Sequence, residues 1–575
     1  MSGINENATW DSAAEVNDTK IETASLRAAQ GMTEQAQGAS PCLQPVPCKE
    51  ETEYTKRLKR QFGFFAPATL LYAVFYAFCM FKNSSGITFP FFVAGSLLYL
   101  CFCLSKLEIS LKKGSIFYMI GMMLLAVSTF CTDDLKIINL NKTAIFLLMM
   151  SLLLQQFFNT AGWKLGKYLG SMALLVFGSL GEIGRPFADG AAYRREKGGK
   201  GRKKVWSAIL GAAIGVPLML VVAGLLGSAD ALFRQMTDKF FDWIQPDNIF
   251  NVLFRIAFLF FASYLLLSYL CRQKISEKVK DRRKGEPVLV ITIMGFLTLL
   301  YLLFSVIQVF GLFLGKMQLP EGYTYAEYAR EGFFQLLAVS ILNLVLVLLA
   351  MNYFRESKLL KGILTVMSFC TFIMISSSAM RMIIYIRYYY LTFLRIFVLW
   401  TLAVLFFLFA GVIISIFREK FPLFGYSAAV VTVFYLALSF SHPDYLIARV
   451  NVANAPQSVA EAEEMQKIKF SGEEFYQEDF FVGGYYRDYN YLSTLSADAA
   501  PVLIPYLDQM GYDLQRYQEE DILDAANPEW SARYTAEGFG WYYLDRIKYR
   551  LDRFSPRTYN ISRHMALRKI GAYMQ

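Results

Sequence analysis

Eleven stretches of the chain are almost wholly apolar, at 64–81, 87–104, 115–131, 143–161, 206–227, 248–271, 287–315, 335–353, 363–386, 394–417 and 423–440. Most run roughly 18 to 25 residues, which at 1.5 Å of rise per helical residue crosses the hydrocarbon core of a bilayer. Hydrocarbon offers peptide groups no partner, so each stretch has to close its own hydrogen bonds as a helix. The pattern predicts an all-α fold: a polytopic transmembrane bundle of about eleven spans.

Two further apolar stretches are expected to lie along the membrane surface. Residues 163–180 run among Gly162, Gly166, Gly170, Gly178 and Gly181 and contain Lys164 and Lys167. That mixture predicts an interfacial helix leading into a basic loop. In 228–244, Leu232, Met236, Phe240 and Ile244 recur every fourth residue, and Ser228 or Asp230 stands ready as a cap.

After Phe440 the apolar runs stop. Ser458 followed by Glu461 fits a capping box for a helix over 458–469. Ala500, Leu503, Ile504 and Leu507 give a helical face within 497–510, and Leu544, Ile547 and Leu551 give another within 542–554. A small soluble helical domain is expected over 441–575, behind a membrane domain over 56–440. Residues 1–55 form a polar tail without an apolar core, expected to be disordered and cytoplasmic.

Charge supplies the orientation. The net charge is +10, with 441–575 at −6 and the rest of the chain at +16. The positive charge recurs in alternate connections: Lys106, Lys112 and Lys113; the run from Arg194 to Lys204; 272–284; Arg355, Lys358 and Lys361; Arg418 and Lys420. Acidic residues hold the opposite set: Asp133 and Asp134; Asp230, Asp238, Asp242 and Asp247; Glu321, Glu327 and Glu331. Cytoplasmic loops carry the lysine and arginine excess. Eleven spans with the N-terminus inside put every basic loop on that side and 441–575 outside. A basic surface for nucleic acid is the competing reading, and the loop alternation argues against it, so no nucleic acid partner is expected.

Candidate chemistry gathers at the outer ends of the spans. On a helix Glu327 shares a face with Arg330 and Glu331. Arg381 lies several residues before the end of the ninth span with Tyr385 on its face, and Arg395 opens the tenth. Arg381 and Arg395 are therefore expected to partner Glu327 and Glu331, as an anion or ion-pair pocket or as an internal lock between helices. Arg255, inside the sixth span, is expected to pair with Asp247 or Asp242 or to reach lipid phosphate. Gln308 and Asn343 are intramembrane amides, expected to bond between helices.

Other chemistry is missing from the sequence. It has no Walker loop, GxGxxG, HExxH or GxSxG. Two histidines, His442 and His564, and eight cysteines without zinc spacing suggest no metal and no cofactor. No clear internal repeat favours a secondary transporter.

Several segments together resemble one bacterial membrane family: Gly227-Ser228-Ala229-Asp230 with Phe233, and 327–334 with Gln335-Leu336; Arg381 with Leu391-Thr392 and Arg395; Pro443-Asp444 with Leu446-Ile447-Ala448 and Asn451; Asp488-Tyr489 with Tyr491-Leu492 and Leu495-Ser496-Ala497-Asp498-Ala499; Tyr559-Asn560 with Ser562-Arg563. The pattern is similar to the related families catalogued as domain of unknown function 4153 and 4173, over roughly 58–567. The resemblance implies a multipass protein of the bacterial cytoplasmic membrane and no established activity. One departure stands out: the resemblance implies a glycine before the Leu-Thr pair, and this chain has Tyr390.

Three functions are compatible with these observations. The first is a non-enzymatic role in sensing, scaffolding or assisting envelope proteins. The second is a transporter or channel with a charged site at the outer ends of the spans. The third is a membrane enzyme acting on a lipid-linked substrate. The expected partners are the bilayer itself, envelope proteins and anionic lipid.

Overall fold

A computed structural model describes residues 51–160, 162–196, 219, 222, 226, 230, 246–277, 283–310, 325–418, 420–454, 491–510, 540, 542–544, 546–547 and 556–573. Its elements, in chain order, are α1 (Glu53–Arg60), α2 (Phe62–Met80), α3 (Thr88–Leu107), α4 (Ser115–Cys131), α5 (Leu135–Phe157), α6 (Leu165–Leu180), α7 (Arg185–Glu196), α8 (Pro246–Cys271), α9 (Pro287–Gln308), α10 (Tyr325–Tyr353), α11 (Lys358–Tyr389), α12 (Phe393–Phe417), α13 (Leu423–Phe440), α14 (Pro443–Val452), α15 (Ala500–Gln509) and α16 (Ile561–Tyr573), with short 3-10 turns at Ala497–Ala499 and Pro556–Thr558. Among the described residues there is no strand. All these elements belong to one unit, residues 53–575.

Among the described residues nine helices are long and apolar enough to cross a membrane: α2, α3, α5, α8, α9, α10, α11, α12 and α13. α4, 17 residues long, and α6, 16 residues long, are apolar but shorter. The proposed span at 206–227, the surface helix at 228–244 and the helix at 458–469 fall mostly or wholly outside the described residues, as do residues 1–50.

The outward faces are what make this a membrane fold. On α9, Phe296, Leu299, Leu300 and Leu303 are 59–73% exposed, on a helix that is apolar all round. Each such side chain in water would cost about 1.5–3 kcal/mol relative to burial, whereas lipid accepts it. The hydroxyls inside the spans satisfy themselves locally. Thr69, Ser96, Thr129, Ser340, Ser368 and Thr371 each donate to the carbonyl four residues earlier, at 2.7–2.8 Å.

Polar contacts then tie helix to helix. Asn141 on α5 donates to Thr129 on α4 (3.0 Å), and its oxygen accepts from Tyr435 (2.7 Å) and Ser439 (2.8 Å) on α13. Gln308 accepts from Ser377, joining α9 to α11, and Asn343 donates to Thr371, joining α10 to α11. The apolar core has corresponding parts. One cluster unites α1 to α6 with α8 and α13, and others unite α9, α10, α11 and α12. A further cluster, built from Ile447, Leu492, Leu503, Ile504, Leu507 and Tyr543, gathers the segments after α13 and packs on Leu391, Phe393 and Ile396 at the α11–α12 turn.

The two ends of the bundle differ. At the end away from α14–α16, Glu182, buried between α6 and α7, takes Arg185 (3.2 Å), Arg272 (3.0 Å) and Lys274 (2.6 Å). Lys112 there closes the α4 and α5 termini by donating to the carbonyls of Gln155 (2.5 Å) and Phe158 (2.8 Å).

Candidate functional site

The site grows from the short turn between α4 and α5. Asp134 caps α5, its Oδ1 accepting from Lys136 N–H at 2.9 Å, as an N-cap aspartate should. The two residues before it are buried beneath the C-terminal segments. Asp498, in the 3-10 turn before α15, reaches into that turn. Its Oδ2 accepts from Thr132 Oγ1 at 2.5 Å and lies 3.0 Å from His442 Nδ1; its Oδ1 accepts from Asp133 N–H at 2.7 Å and from Ser562 Oγ. One buried carboxylate thus joins the α4–α5 turn, the α13–α14 corner and the start of α16.

The surrounding contacts repeat the connection. Arg563 Nε donates to Asp133 at 2.7 Å. Asn560 donates to the carbonyls of Thr132 (2.9 Å) and Ser85 (3.1 Å), and Ile87 N–H donates to Tyr559 O at 2.8 Å. At the α11–α12 turn, Asn451 pairs with both main-chain groups of Leu391, at 2.9 and 3.0 Å, and Tyr491 accepts from Phe393 N–H at 2.8 Å.

The electrostatics split the carboxylates. Burial alone would raise Asp498, but the bonds from His442, Asp133 N–H, Ser562 and Thr132 hold it below the ordinary aspartate value. The same contact with Asp498 raises His442. Asp134 goes the other way: burial, and then the nearby charge of Asp444, push it up to about 7. Asp444 is raised too, by burial first, although its Oδ2 accepts from Ser496 N–H at 2.8 Å. Among the described residues, Asp134 Oδ2 and Asp444 Oδ1 are buried with no hydrogen-bond partner, so neither oxygen has a donor to favour its charged form. Burial and mutual repulsion thus favour the protonated form of this pair of acids. Among the described residues no three His, Cys, Asp or Glu side chains converge as metal ligands would.

The residues picked out from sequence lie elsewhere at the same end. Arg381 is buried, 7% exposed, against Gly332 of α10, with Nη2 3.5 Å from Gln308 Oε1. Arg395 stacks on Tyr385, 4.4 Å from guanidinium to ring centre, and donates to the carbonyls of Tyr389 and Tyr390. Glu327, Arg330 and Glu331 belong to α10, but their side chains lie outside what the structure describes, as do those of Asp242 and Asp247. Arg255 lines an open cleft beside the α2–α3 turn.

The Asp498 network was absent from the candidate sites read in sequence. Asp444, Asn451, Asp498, Asn560, Ser562 and Arg563 belonged to separate short motifs; the fold brings Asp498, Asn560, Ser562 and Arg563 together at the α4–α5 turn, while Asn451 fastens the α11–α12 turn and Asp444 holds Ser496 N–H. The comparison with known families covers this region. A family model described as Domain of unknown function (DUF4153) matches residues 119–506, two thirds of the chain, from α4 through Asp498. The chain belongs to that family. The match takes in Asp133, Asp134, His442, Asp444 and Asp498, while Asn560, Ser562 and Arg563 fall beyond it. No curated protein and no solved structure matches the chain.

Proposed function

We propose that this member of the family is a non-enzymatic multipass protein of the bacterial cytoplasmic membrane, in which the helical segments after α13 lie outside and sense or scaffold envelope components. The observation that carries this reading is the Asp498 network. It fastens those segments to the ends of α4, α13 and the α2–α3 and α11–α12 turns through main-chain and buried side-chain bonds, so a load or ligand on them is transmitted to the spans. The alternating loop charge supports the orientation, N-terminus inside.

Two experiments test it. Cysteines introduced at Asn454 and Lys113, both exposed, are probed on intact cells with an impermeant maleimide. Labelling of Asn454→Cys alone fits the orientation, and labelling of Lys113→Cys alone reverses it. In cells, Asp498→Asn should expose the C-terminal segments to protease and reproduce the phenotype of deleting the gene. A variant that loses docking yet keeps full function would remove the basis of the proposal.

A second reading, proton-coupled transport, rests on Asp134, a buried acid pushed up to about 7 beside Asp444. Proton flux in vesicles that disappears in Asp134→Asn, with the C-terminal segments still docked, would favour it over the first.

A further inference from the structure

Beside the Asp498 network, and independent of its role, a cleft of about 1000 Å3 opens at the same end of the bundle. Four chain segments build it: the α2–α3 turn with Lys82 and Asn83, α5 with Lys142, α8 with Arg255, and the 3-10 turn before α16 with Arg557. Of the eight described residues that line it, half are cations and none is acidic. Among the described residues, none of the four cations forms an ion pair with a carboxylate. Like charges converging on one space repel, and a folded chain keeps such a group at a cost unless something anionic offsets it.

Arg557, Lys142 and Lys82 also rest on aromatic rings beside the cleft. The Arg557 guanidinium donates to Phe78 O at 3.2 Å and sits against the Phe78 and Phe81 rings, 5.8 and 6.0 Å from their centres. Asn83 donates to the Arg557 carbonyl at 3.2 Å, which fixes the C-terminal segment to the α2–α3 turn. Lys82, at the α2–α3 turn, adopts φ +51°, a main chain that lysine rarely takes. Lys142 lies over the Phe89 ring at 5.9 Å. Lys142 and Arg255 sit two to three turns in from the starts of α5 and α8.

We propose that this cleft binds a phosphate group, held between Lys142, Arg255 and Arg557 and closed by Lys82. Inorganic phosphate and the phosphodiester of an anionic phospholipid share the chemistry.

The test uses the full chain, purified in neutral detergent and exchanged free of lipid. Its thermal stability is measured against inorganic phosphate and, separately, against short-chain phosphatidylglycerol with phosphatidylcholine as the zwitterionic control, all at fixed ionic strength. The same titrations are run on Lys142→Gln with Arg255→Gln, a pair that removes charge without touching the Arg557 contacts. Saturable stabilisation of the wild type, weakened at least tenfold in the pair, supports the site. A response to inorganic phosphate assigns a free anion, and a response to phosphatidylglycerol alone assigns a lipid headgroup. The pair should be at least as stable as the wild type without ligand, because repulsion has been removed. Equal responses in wild type and variant, or no response to either ligand, would overturn the proposal.

Discussion

The guanidinium of Arg395 donates to the main-chain carbonyl of Tyr390, and Tyr390 is the residue that turns α11 into α12 with φ +59° and ψ −172°. That region of backbone space is almost confined to glycine, because a Cβ there crowds the neighbouring carbonyls. Arg395 also takes the carbonyl of Tyr389, so a single side chain clamps the whole corner. The tight turn is kept, although the residue is the wrong one for it.

Tyr390→Gly should therefore stabilise the protein by about 1 kcal/mol, net of the lost tyrosine contacts and the freer unfolded chain. Tyr390→Ala should not, since alanine keeps the Cβ. Thermal unfolding of both variants in one detergent decides it, and a glycine variant no more stable than the alanine variant would show that the corner is unstrained.

Asp498→Asn is the second variant of interest. Each carboxylate oxygen accepts two bonds; an asparagine amide would either aim its NH2 at the Asp133 N–H or force the Thr132 hydroxyl and His442 Nδ1 to turn from donors into acceptors, and it removes the charge that His442 faces. The loss should be on the order of 2–4 kcal/mol, concentrated in the segments after α13. Hydrogen exchange should rise in α14, α15 and α16 while the spans stay protected. Uniform loss across the bundle would show that the carboxylate is not the local fastener described above.

Most of the fold could be read from residue patterns, because length and apolarity decide a span before any tertiary contact does. The corner at Tyr390 shows one limit: the resemblance implied a glycine there, yet the tyrosine makes the turn and Arg395, five residues on, holds it. The candidate site shows another. Arg381 and Arg395 attracted notice because charge inside a span is rare, but the bonds of Arg395 go to main-chain carbonyls, which no sequence displays as partners. Asp498 entered the sequence reading only as one residue of a short motif, with no role of its own. Its importance depends on Thr132, 366 positions away, and that pairing follows from how the spans return to the same end.

Stability should fall as pH rises from about 5 to 7.5. A buried acid raised from 3.8 to about 7 favours the folded state at low pH and loses that contribution as pH climbs through its folded value. His442 has the same sign. Its folded value lies above the usual 6.5, so its contribution is complete below 6.5 and fades as pH passes that higher value. Asp498 has the opposite sign, but its window lies below about pH 4. The combined change should be on the order of 1–3 kcal/mol. Asp134→Asn should flatten most of it, and a profile that rises with pH would contradict these assignments.

Glu182→Gln should cost about 3 kcal/mol, because Arg185, Arg272 and Lys274 would then face one another around a neutral amide. Arg272→Gln introduced on top should recover part of that loss in thermal unfolding. Additive losses would mean that the three cations reach solvent instead of depending on the carboxylate.

The last prediction concerns Gly332 and Arg381. A Cβ placed on Gly332 would overlap Arg381 Nη1 and lie 2.9 Å from its Cζ, so any larger residue has to push the guanidinium off α10. The arginine is buried and has limited room to retreat. Two effects oppose each other in Gly332→Ala. Replacing glycine inside a helix gains about 1 kcal/mol from propensity, while displacing a buried cation from its contact with Gln308 loses more. The variant should be destabilised in the wild-type background. With Arg381→Ala already present the obstruction is gone, only the propensity gain remains, and the same substitution should stabilise by about 1 kcal/mol. The sign reversal is a coupling of at least about 1 kcal/mol, well above the few tenths expected for independent sites. Equal effects in both backgrounds would mean that Arg381 does not rest on Gly332. The measurement is also the most direct check on where this guanidinium sits, because it reads the contact from the glycine side and leaves every charge in the wild-type background in place.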